Sequence, residues 1–321
     1  MVSKIITYRY TQLALISLIV LGTFICVFTP NYFLFKVGAR FAVQIMLGYL
    51  LLGFAFLIAR QHKLMFTSFA CCAGLCLFLK YASDGQLSLP LKNDEKTLDV
   101  AHFNVSASIA NFSETIDEIL AVDADVISLQ EVTPDWDIEL RKSLQNKYPY
   151  SRTIVRLDPF GLAIYSRFPL ISTDTFMYED IPNIVGTVKI DDSNQEICFI
   201  ASYTLPVFYT NDYERQRNHL MAIANYTNST DCPVITIGDY NAVPWSYEIQ
   251  DFKTAANLND SRQGFMPASN GSFSLFQIPS DHIFYSDHLE CIGFKEINSP
   301  SSGHLGIKGS YQFNNNPKPS L

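Results

Sequence analysis

The sequence predicts an α/β domain that follows a group of hydrophobic membrane helices. Near the N-terminus, residues 11–29 and 41–59 contain no charged side chain. After residue 96, short apolar runs typical of strands alternate with amphipathic runs typical of helices. The charge also changes: residues 1–96 carry nine basic and three acidic residues, and the remainder carries 14 and 28. This acidic part disfavours tight, sequence-independent binding of nucleic acid unless a local basic groove exists.

The hydrophobic runs predict a membrane anchor over residues 1–80. Residues 11–29 and 41–59 are each long enough to cross about 30 Å of hydrocarbon as a helix. A third run, 64–79, has 16 residues and is marginal for a span. No small-residue cleavage site follows the first run, which favours a retained anchor over a cleaved signal peptide. We therefore predict two or three transmembrane helices and a multi-pass protein of the cell membrane, with the lipid bilayer as its partner.

The basic residues around these runs give a weak prediction of orientation. Four precede the first span or lie between the second and third, against three in the other flanking segments. The first group is Lys4, Arg9, Arg60 and Lys63, and the second is Lys36, Arg40 and Lys80. With three spans, the positive-inside rule places the N-terminus in the cytoplasm and the acidic domain outside the cytoplasm. If the third run does not span, the domain faces the other side.

The rest of the chain divides into three parts. Residues 81–96 mix Gly, Ser, Pro and charge, which is typical of a solvated linker. The folded domain is predicted at 97–313, and 314–321 is predicted to be a disordered tail. Predicted strands are LDVAHFNV, ADVISLQEV, GLAIYSRFPL, NIVGTVKI, EICFIASYTL, PVITIGDYN, SDHIFYS and HLGIKGSYQF. Predicted helices begin at Asn111, Pro134 and about Asp212.

The cysteines do not predict a metal site. Cys198, Cys232 and Cys291 are widely spaced and odd in number, which argues against both a zinc site and a full disulfide framework. One disulfide remains open if the domain lies outside the cytoplasm.

Polar side chains at the ends of the predicted strands are the candidate functional residues. They are Asn104, Glu131, Tyr203, Asp239, Asn241 and Asp281, with His304 at the start of the last strand. Carboxylates gathered at one end of a sheet repel one another and raise one another's pKa unless a cation neutralises them. Oxygen ligands suit Mg²⁺, Mn²⁺ or Ca²⁺ rather than zinc. We therefore expect a divalent-cation site, with Mg²⁺ the first candidate.

The order and wording of these segments resemble the endonuclease/exonuclease/phosphatase superfamily of DNase I-like proteins. The matching pieces are FNV, LQEV, GLAIYSRFPL, SYTLP, GDYNAVPWS, SDHIFYS and SGH, of which LQEV and GDYNAVPWS are the most specific. The hydrophobic spans before the domain are similar to those of membrane-anchored bacterial members. The resemblance implies a four-layered α/β sandwich with two mixed β-sheets flanked by helices and an active site at the sheet ends.

The resemblance also implies a role for each residue of the motifs. Glu131 would be the principal metal ligand, with Asn104 beside it. Asp239 and Asn241 would position the attacking water and bind a phosphoryl oxygen, and Asp281 would orient the catalytic His304. Either Asp239 or His304 removes the proton from water, and the sequence leaves both open.

Two positions depart from the usual motifs of this superfamily. Tyr203 stands where a His is common, and its phenol can donate a hydrogen bond to phosphate. Gly303 replaces the Asp of the usual Ser-Asp-His motif, which removes a negative charge near the cation site.

The sequence thus leads to a membrane-tethered, divalent-metal-dependent phosphoesterase. Its substrate would be a nucleic acid, a phospholipid or a small phosphate ester, and no obligate protein partner is inferred. Arg215 is a candidate phosphate contact, although a solvated helix face also explains it. Because of Gly303, a catalytically silent or weak membrane-bound binding module on the same scaffold is the alternative.

Overall fold

A computed structural model gives the fold. It describes residues 9–28, 32–83, 90–92, 97–105, 111–190, 195–207, 209–262, 264, 278–299 and 303–314, without the side chains of Phe33, Thr210, 298–299 and 303–305. Apart from Asn314, the predicted tail lies outside the described residues. Most of the predicted linker does too, although its Leu91 carbonyl accepts a hydrogen bond from the Gln312 side chain at 3.1 Å.

The described chain begins with four helices, and the strands and the other four helices follow from Leu98 onward. The helices are α1 Arg9–Val27, α2 Phe33–Arg40, α3 Ala42–Ile58, α4 His62–Ala82, α5 Phe112–Val122, α6 Pro134–Leu144, α7 Thr210–Asn228 and α8 Tyr247–Ala256. The strands are β1 Leu98–Asn104, β2 Val126–Gln130, β3 Tyr150–Ile154, β4 Leu162–Ser166, β5 Leu170–Tyr178, β6 Ile181–Ile190, β7 Gln195–Ala201, β8 Val234–Asp239, β9 Leu258–Asp260, β10 Asp281–Ser286, β11 Leu289–Ser299 and β12 Gly303–Phe313.

Two six-stranded mixed sheets form the centre of the domain. The first has the order β11-β12-β1-β2-β4-β3, and the second has the order β5-β6-β7-β8-β10-β9. In each sheet one central pair is parallel, β1 with β2 and β7 with β8, and the other pairs are antiparallel. The predicted mixed α/β fold with two sheets flanked by helices is confirmed.

Three apolar layers hold the domain together. Side chains such as Val126, Ile164 and Ile237 fill the space between the two sheets. The outer face of the first sheet packs against α5 and α6 through residues such as Ile119 and Leu140. The outer face of the second sheet packs against α7 and α8. Burying both faces of each sheet explains the near-continuous apolar runs of the central strands.

Capping residues mark where helices α5 and α6 begin. The Asn111 side chain accepts a hydrogen bond from the Glu114 N–H and donates to the Glu114 carboxylate, as its spacing predicts. Thr133 caps α6 and Pro134 occupies its first turn.

Some elements differ from the sequence prediction. GLAIYSRFPL was read as one strand, but β4 ends at Ser166 and β5 begins at Leu170, because the Ser166 hydroxyl and Phe168 backbone hydrogen-bond to each other across a turn. Helix α8 was not predicted, although Ser246 caps it and Ile249, Phe252 and Ala256 form its buried face. Strand β11 was also missed, since a register shift near Gly293 interrupts the alternation of its side chains.

The N-terminal helices pack together as one group. Helices α1 and α4 have 19 and 21 residues and are long and apolar enough to cross a membrane. Helices α2 and α3 together pass the same test as a pair bent by 72°, which makes up to three spans among the described residues. The Gln12 and Gln61 side chains hydrogen-bond at 2.8 Å at one end of the group. Val243 and Trp245, from the segment GDYNAVPWS, pack against its other end.

A disulfide joins Cys198 in β7 to Cys232 before β8, with 5.8 Å between their Cα atoms. The two cysteines are 34 positions apart in the sequence, and the segment between them contains α7. Cys291 is a free, buried thiol.

His219 makes the stability of the domain depend on pH. Its ring lies buried between helix α7 and the second sheet, stacked on Tyr178 with centroids 4.7 Å apart and hydrogen-bonded to Asn183 at 2.9 Å. Burial lowers the pKa of His219 to about 4 from 6.5. The neutral ring therefore folds without cost above pH 6.5, and stability is lost as the pH falls from 6.5 toward 4 because the unfolded chain takes up the proton first.

We expect the change from pH 7.5 to pH 5 to remove about 2 kcal/mol of folding free energy through this residue. His219→Gln keeps the amide contact and should reduce the pH-dependent loss by that amount. Denaturation of the detergent-solubilised chain at both pH values measures it. Equal pH dependence in wild type and variant would contradict the assignment.

Candidate functional site

The carboxyl ends of β1 and β2 bring two predicted ligands together. The strands are parallel, with Asn104 opposite Gln130. The Asn104 side-chain amide donates to a Glu131 carboxylate oxygen at 2.8 Å. Both side chains are only partly buried, so carboxylate and amide oxygens meet at an accessible edge of the first sheet.

Glu131 is held in an unusual backbone conformation. Its φ is 61°, in the left-handed region that costs a non-glycine residue energy. The next residue, Val132, donates its N–H to the Gly161 carbonyl at 3.1 Å. A Cβ at Gly161 would overlap the Val132 carbonyl, so glycine is required for this approach. The close contact between Gly161 and Val132 thus fixes the turn in which Glu131 leaves the direction of β2.

The second sheet supplies the other two carboxylates. Asp239 ends β8 and Asp281 begins β10, and they are directly opposite in the antiparallel register. Asp281 is buried and Asp239 is partly buried. Gly238 allows the end of β8 to pack closely against Ser202, because a Cβ at this position would overlap the Ser202 carbonyl.

Asn241 is fixed by a tight turn after Asp239. Its φ is 50°, its N–H donates to the Asp239 carboxylate at 2.7 Å, and its side-chain amide donates to the Thr204 carbonyl at 2.8 Å.

One hydrogen bond joins the two sheet edges. The buried Gln130 side-chain oxygen accepts the Asp239 N–H at 3.2 Å. Gln130 is the residue before Glu131, so this bond places the motif LQEV beside the motif GDYN. The sequence analysis did not assign a role to Gln130, although its position in LQEV was the available signal.

Tyr203 lies where the acidic residues converge. Burial raises the pKa of its phenol first, and the negative charges of Asp239 and Glu131 raise the pKa further. Asp281 contributes in the same direction, and a hydrogen bond with Asn241 opposes the shift. Groups from both sheets therefore act on one phenol, which remains protonated and a hydrogen-bond donor.

Asp239 is the carboxylate that this environment perturbs most. Burial and then the charge of Asp281 raise the pKa of Asp239 to about 6, against hydrogen bonds from the Asn241 N–H and the Ser280 side chain. A cation in the cleft would favour its ionised form.

His282 follows Asp281 in β10. Its ring is buried, stacks on Tyr240 and hydrogen-bonds to the Ala242 carbonyl at 2.8 Å. It therefore supports the loop that carries Asn241.

The predicted pair Asp281–His304 is only half within the described structure. The backbones of Gly303 and His304 pair with Ser299 and Asn298 in the first sheet. The His304 side chain lies outside the described residues.

Arg215 lies on α7 and pairs with Glu179, whose carboxylate is 3.0 Å from the Arg215 Nε. Both side chains are exposed. Among the described contacts none joins Arg215 to Asp239 or Asn241, so its substrate contact remains a prediction and the ion pair favours the solvated-face interpretation.

The cleft is suited to a hard cation with few protein ligands. Within the described ranges, no group of three or more His, Cys, Asp or Glu side chains is close enough to hold a metal. Mg²⁺ is commonly held by one or two carboxylates, waters and substrate oxygens. The Glu131 carboxylate and the side-chain oxygen of Asn104 fit this coordination. The hydrogen bond from the Asn104 amide nitrogen to Glu131 holds the two side chains together.

Comparisons with known proteins agree with the described fold. The sequence model described as Endonuclease/Exonuclease/phosphatase family matches residues 101–304. Protein angel homolog 2 of Mus musculus is 32% identical over 158 residues, which are 42% of this chain and 29% of that protein. The chain therefore spans less than a third of the length of this curated relative.

Solved structures share the fold at low sequence identity. A humanized D. rerio TDP2 superposes with a TM-score of 0.56 at 15% identity, over 67% of this chain and 99% of that one. The human Nocturnin catalytic domain gives 0.53 at 19% identity, over 68% of this chain and 95% of that one.

Proposed function

The chain belongs to the endonuclease/exonuclease/phosphatase family, and from that premise we propose that it is a membrane-tethered, divalent-metal-dependent phosphoesterase of the membrane-anchored bacterial type. The single observation that carries the proposal is the hydrogen bond from the Asp239 N–H to the Gln130 side chain, which brings the Asn104–Glu131 pair and the Asp239–Asp281 pair to one edge of the domain. Carboxylates and amides gathered at one edge are an arrangement that a cation and a phosphate complement.

Each side chain of the cleft has a role in this proposal. Glu131 and Asn104 hold the cation, which when bound neutralises charge on the phosphate and the leaving oxygen. The protonated Tyr203 phenol and the Asn241 amide donate to phosphoryl oxygens.

Proton transfer from water has two candidate acceptors. Asp239, with a pKa of about 6, is ionised at neutral pH and more basic than an ordinary carboxylate, which suits a general base. His304, oriented by Asp281, is the second candidate, with the imidazole positioned for proton transfer or for stabilising the phosphate.

The test is hydrolysis by the full chain in detergent, with plasmid DNA, sphingomyelin and bis(p-nitrophenyl) phosphate, under Mg²⁺, Mn²⁺ or EDTA. We expect at least one phosphate ester to be cleaved, and EDTA to abolish the cleavage. Metal-independent cleavage, or no cleavage of any phosphate ester, would overturn the proposal.

The second candidate function is a silent binding module, which Gly303 favours because it lacks the usual carboxylate. Gly303→Asp restores that charge. For an active enzyme we expect the Mg²⁺ concentration for half-maximal rate to fall about tenfold and the rate to rise. A fall in both metal affinity and rate would show that this chain uses a different ligand arrangement.

We also propose that the domain faces away from the cytoplasm. Three features support this proposal. Three spans, which the two long helices and the bent pair allow, would put the N-terminus and the domain on opposite sides of the membrane. The flanking charges favour a cytoplasmic N-terminus, and the Cys198–Cys232 disulfide is typical of an oxidising compartment.

The disulfide gives this orientation a direct test. Under non-reducing conditions peptide mapping should find Cys198 linked to Cys232. Cys232→Ser should lower the free energy of unfolding by about 3–4 kcal/mol, because it opens a 34-residue loop. Cys76→Ser, at an exposed cysteine of α4, is the control. If Cys198 and Cys232 are both alkylated when the protein is isolated from cells in the presence of an alkylating reagent, the proposed orientation is contradicted.

A further inference from the structure

A cavity of about 270 Å³ lies between helix α2 and the loop that carries Asn241. Val37, Ala39 and Phe41 form one wall, and Val207, Val243 and Ile278 form the other. The lining is mostly apolar, and the cavity is larger than the roughly 150 Å³ cavity that holds benzene in a protein core. Asn241 lines it as well, so the cavity and the candidate functional site share this residue.

The wall from α2 is fixed to the domain by polar contacts. The Trp245 indole N–H donates to the Ala39 carbonyl at 2.6 Å. Lys36 forms a buried ion pair with Glu248, at the first turn of α8. The Gln250 side chain donates to the Ala82 carbonyl at the end of α4 at 2.8 Å. These contacts hold the anchor and the catalytic motif GDYNAVPWS in one arrangement.

Helix α2 and the cavity lie at the end of the helix group that contacts the domain. Helix α2 lies between α1 and α3, at the same end of the group as Cys26, Leu79 and Trp245, and it bends 72° away from α3. Its sequence, FLFKVGAR, combines apolar residues with two basic residues, which is typical of a helix at the bilayer interface. With the candidate spans across a bilayer, as the proposed function has them, an apolar chain would reach the cavity from the bilayer.

We propose that this cavity binds the acyl chain of a lipid phosphate ester while its phosphate lies at Asn241. The inference rests on the proposed function and names its substrate class. Lys36 is neutralised by Glu248, so Arg40 is the basic residue of the wall whose charge complements an anionic headgroup. A lipid explains why an acidic domain is held so close to a membrane, since its phosphate arrives with its tail and needs no long-range attraction.

The kinetic test compares long-chain and short-chain phosphatidic acid and phosphatidylglycerol, in mixed micelles with the full chain. Val37→Trp and Val207→Trp fill the cavity, and Ile138→Trp, at a residue that is 62% exposed on α6, is the matched control. Excluding two or more methylenes should lower the ratio of long-chain to short-chain kcat/KM about tenfold in both cavity variants. The control should keep the wild-type ratio. Hydrolysis of bis(p-nitrophenyl) phosphate without hydrolysis of either lipid would overturn the inference and leave the proposed function standing.

A labelling test does not depend on turnover. Phosphatidic acid with a diazirine at the end of its acyl chain is photoactivated on the full chain in nanodiscs. We expect labels at Val37–Phe41 or Val243–Ser246, and their loss in Val37→Trp. Labels confined to the outward apolar surfaces of α1, α3 and α4, and unchanged by that substitution, would overturn the inference. This result stands even if no phosphate ester is hydrolysed, so failure of the cavity and failure of the proposed function are separable.

Discussion

Replacing Glu131 with glutamine is expected to lower kcat/KM for phosphate-ester hydrolysis by about three orders of magnitude. The substitution removes the negative charge that we assign to the cation. A glutamine oxygen can still accept the hydrogen bond that Asn104 donates at 2.8 Å, so the local structure is preserved. Steady-state rates across a Mg²⁺ series measure the effect, and the Mg²⁺ requirement should rise together with the loss of rate.

Arg141→Ala is the matched control for this experiment. Arg141 is 60% exposed in its side chain and pairs with Asp137 on α6, away from the strand ends of the cleft. It should keep wild-type rates. If Glu131→Gln hydrolyses phosphate esters as fast as Arg141→Ala at every Mg²⁺ concentration, Glu131 is not the principal metal ligand.

Asp239→Asn is expected to separate activity from stability. We expect kcat to fall roughly 10²–10⁴-fold, because the variant loses a candidate general base and a negative charge beside the phosphate. The variant can still accept the Asn241 N–H that Asp239 accepts at 2.7 Å. Without metal, the folded protein should become more stable above pH 6 by about 1–2 kcal/mol.

The sign of that stability change follows from the pKa. The fold raises the pKa of Asp239 to about 6 from 3.8, so the folded state binds a proton more tightly than the unfolded state. Stability is therefore highest in acid and falls as the pH rises through 6, and asparagine removes that loss. Denaturation in EDTA at pH 5 and pH 7.5, beside the rate assay, measures both quantities. Lower activity with lower stability would indicate a structural role for Asp239 instead.

The sequence was sufficient for those parts of the fold that local chemistry determines. Apolar runs such as VISLQ and VITIGD predicted the central strands, and Asn111 with Glu114 predicted the start of α5. The sequence also named Glu131, Asp239 and Asp281 as candidates, because each lies at the end or start of a predicted strand, and the register within the second sheet then sets Asp239 opposite Asp281.

What depended on contacts distant in sequence was not predicted. The bond between Gln130 and Asp239 joins residues of two different sheets, and no spacing rule connects them. The ion pair of Lys36 with Glu248 links the anchor to α8 across 212 positions. The sequence left one disulfide open, but only the packing of β7 beside β8 selected Cys198 and Cys232 from three cysteines.

The packing of Trp245 on the N-terminal helices affects how the protein should be studied. Val243 and Trp245 are buried against Ala42, Met46 and other residues of these helices. A fragment that begins after helix α4 would expose these side chains close to Asn241. Experiments on the cleft therefore use the full chain in detergent or nanodiscs.

The central claim is that Glu131 and Asn104, at strand ends of the first sheet, hold one divalent cation at the edge where Asp239 of the second sheet also lies. Mn²⁺ binding to the full chain, followed by electron paramagnetic resonance, tests it most directly, since bound Mn²⁺ loses the signal of the free ion. We predict one Mn²⁺ site that Mg²⁺ displaces, that Arg141→Ala retains and that Glu131→Gln loses. Equal Mn²⁺ binding by wild type and Glu131→Gln would contradict the account.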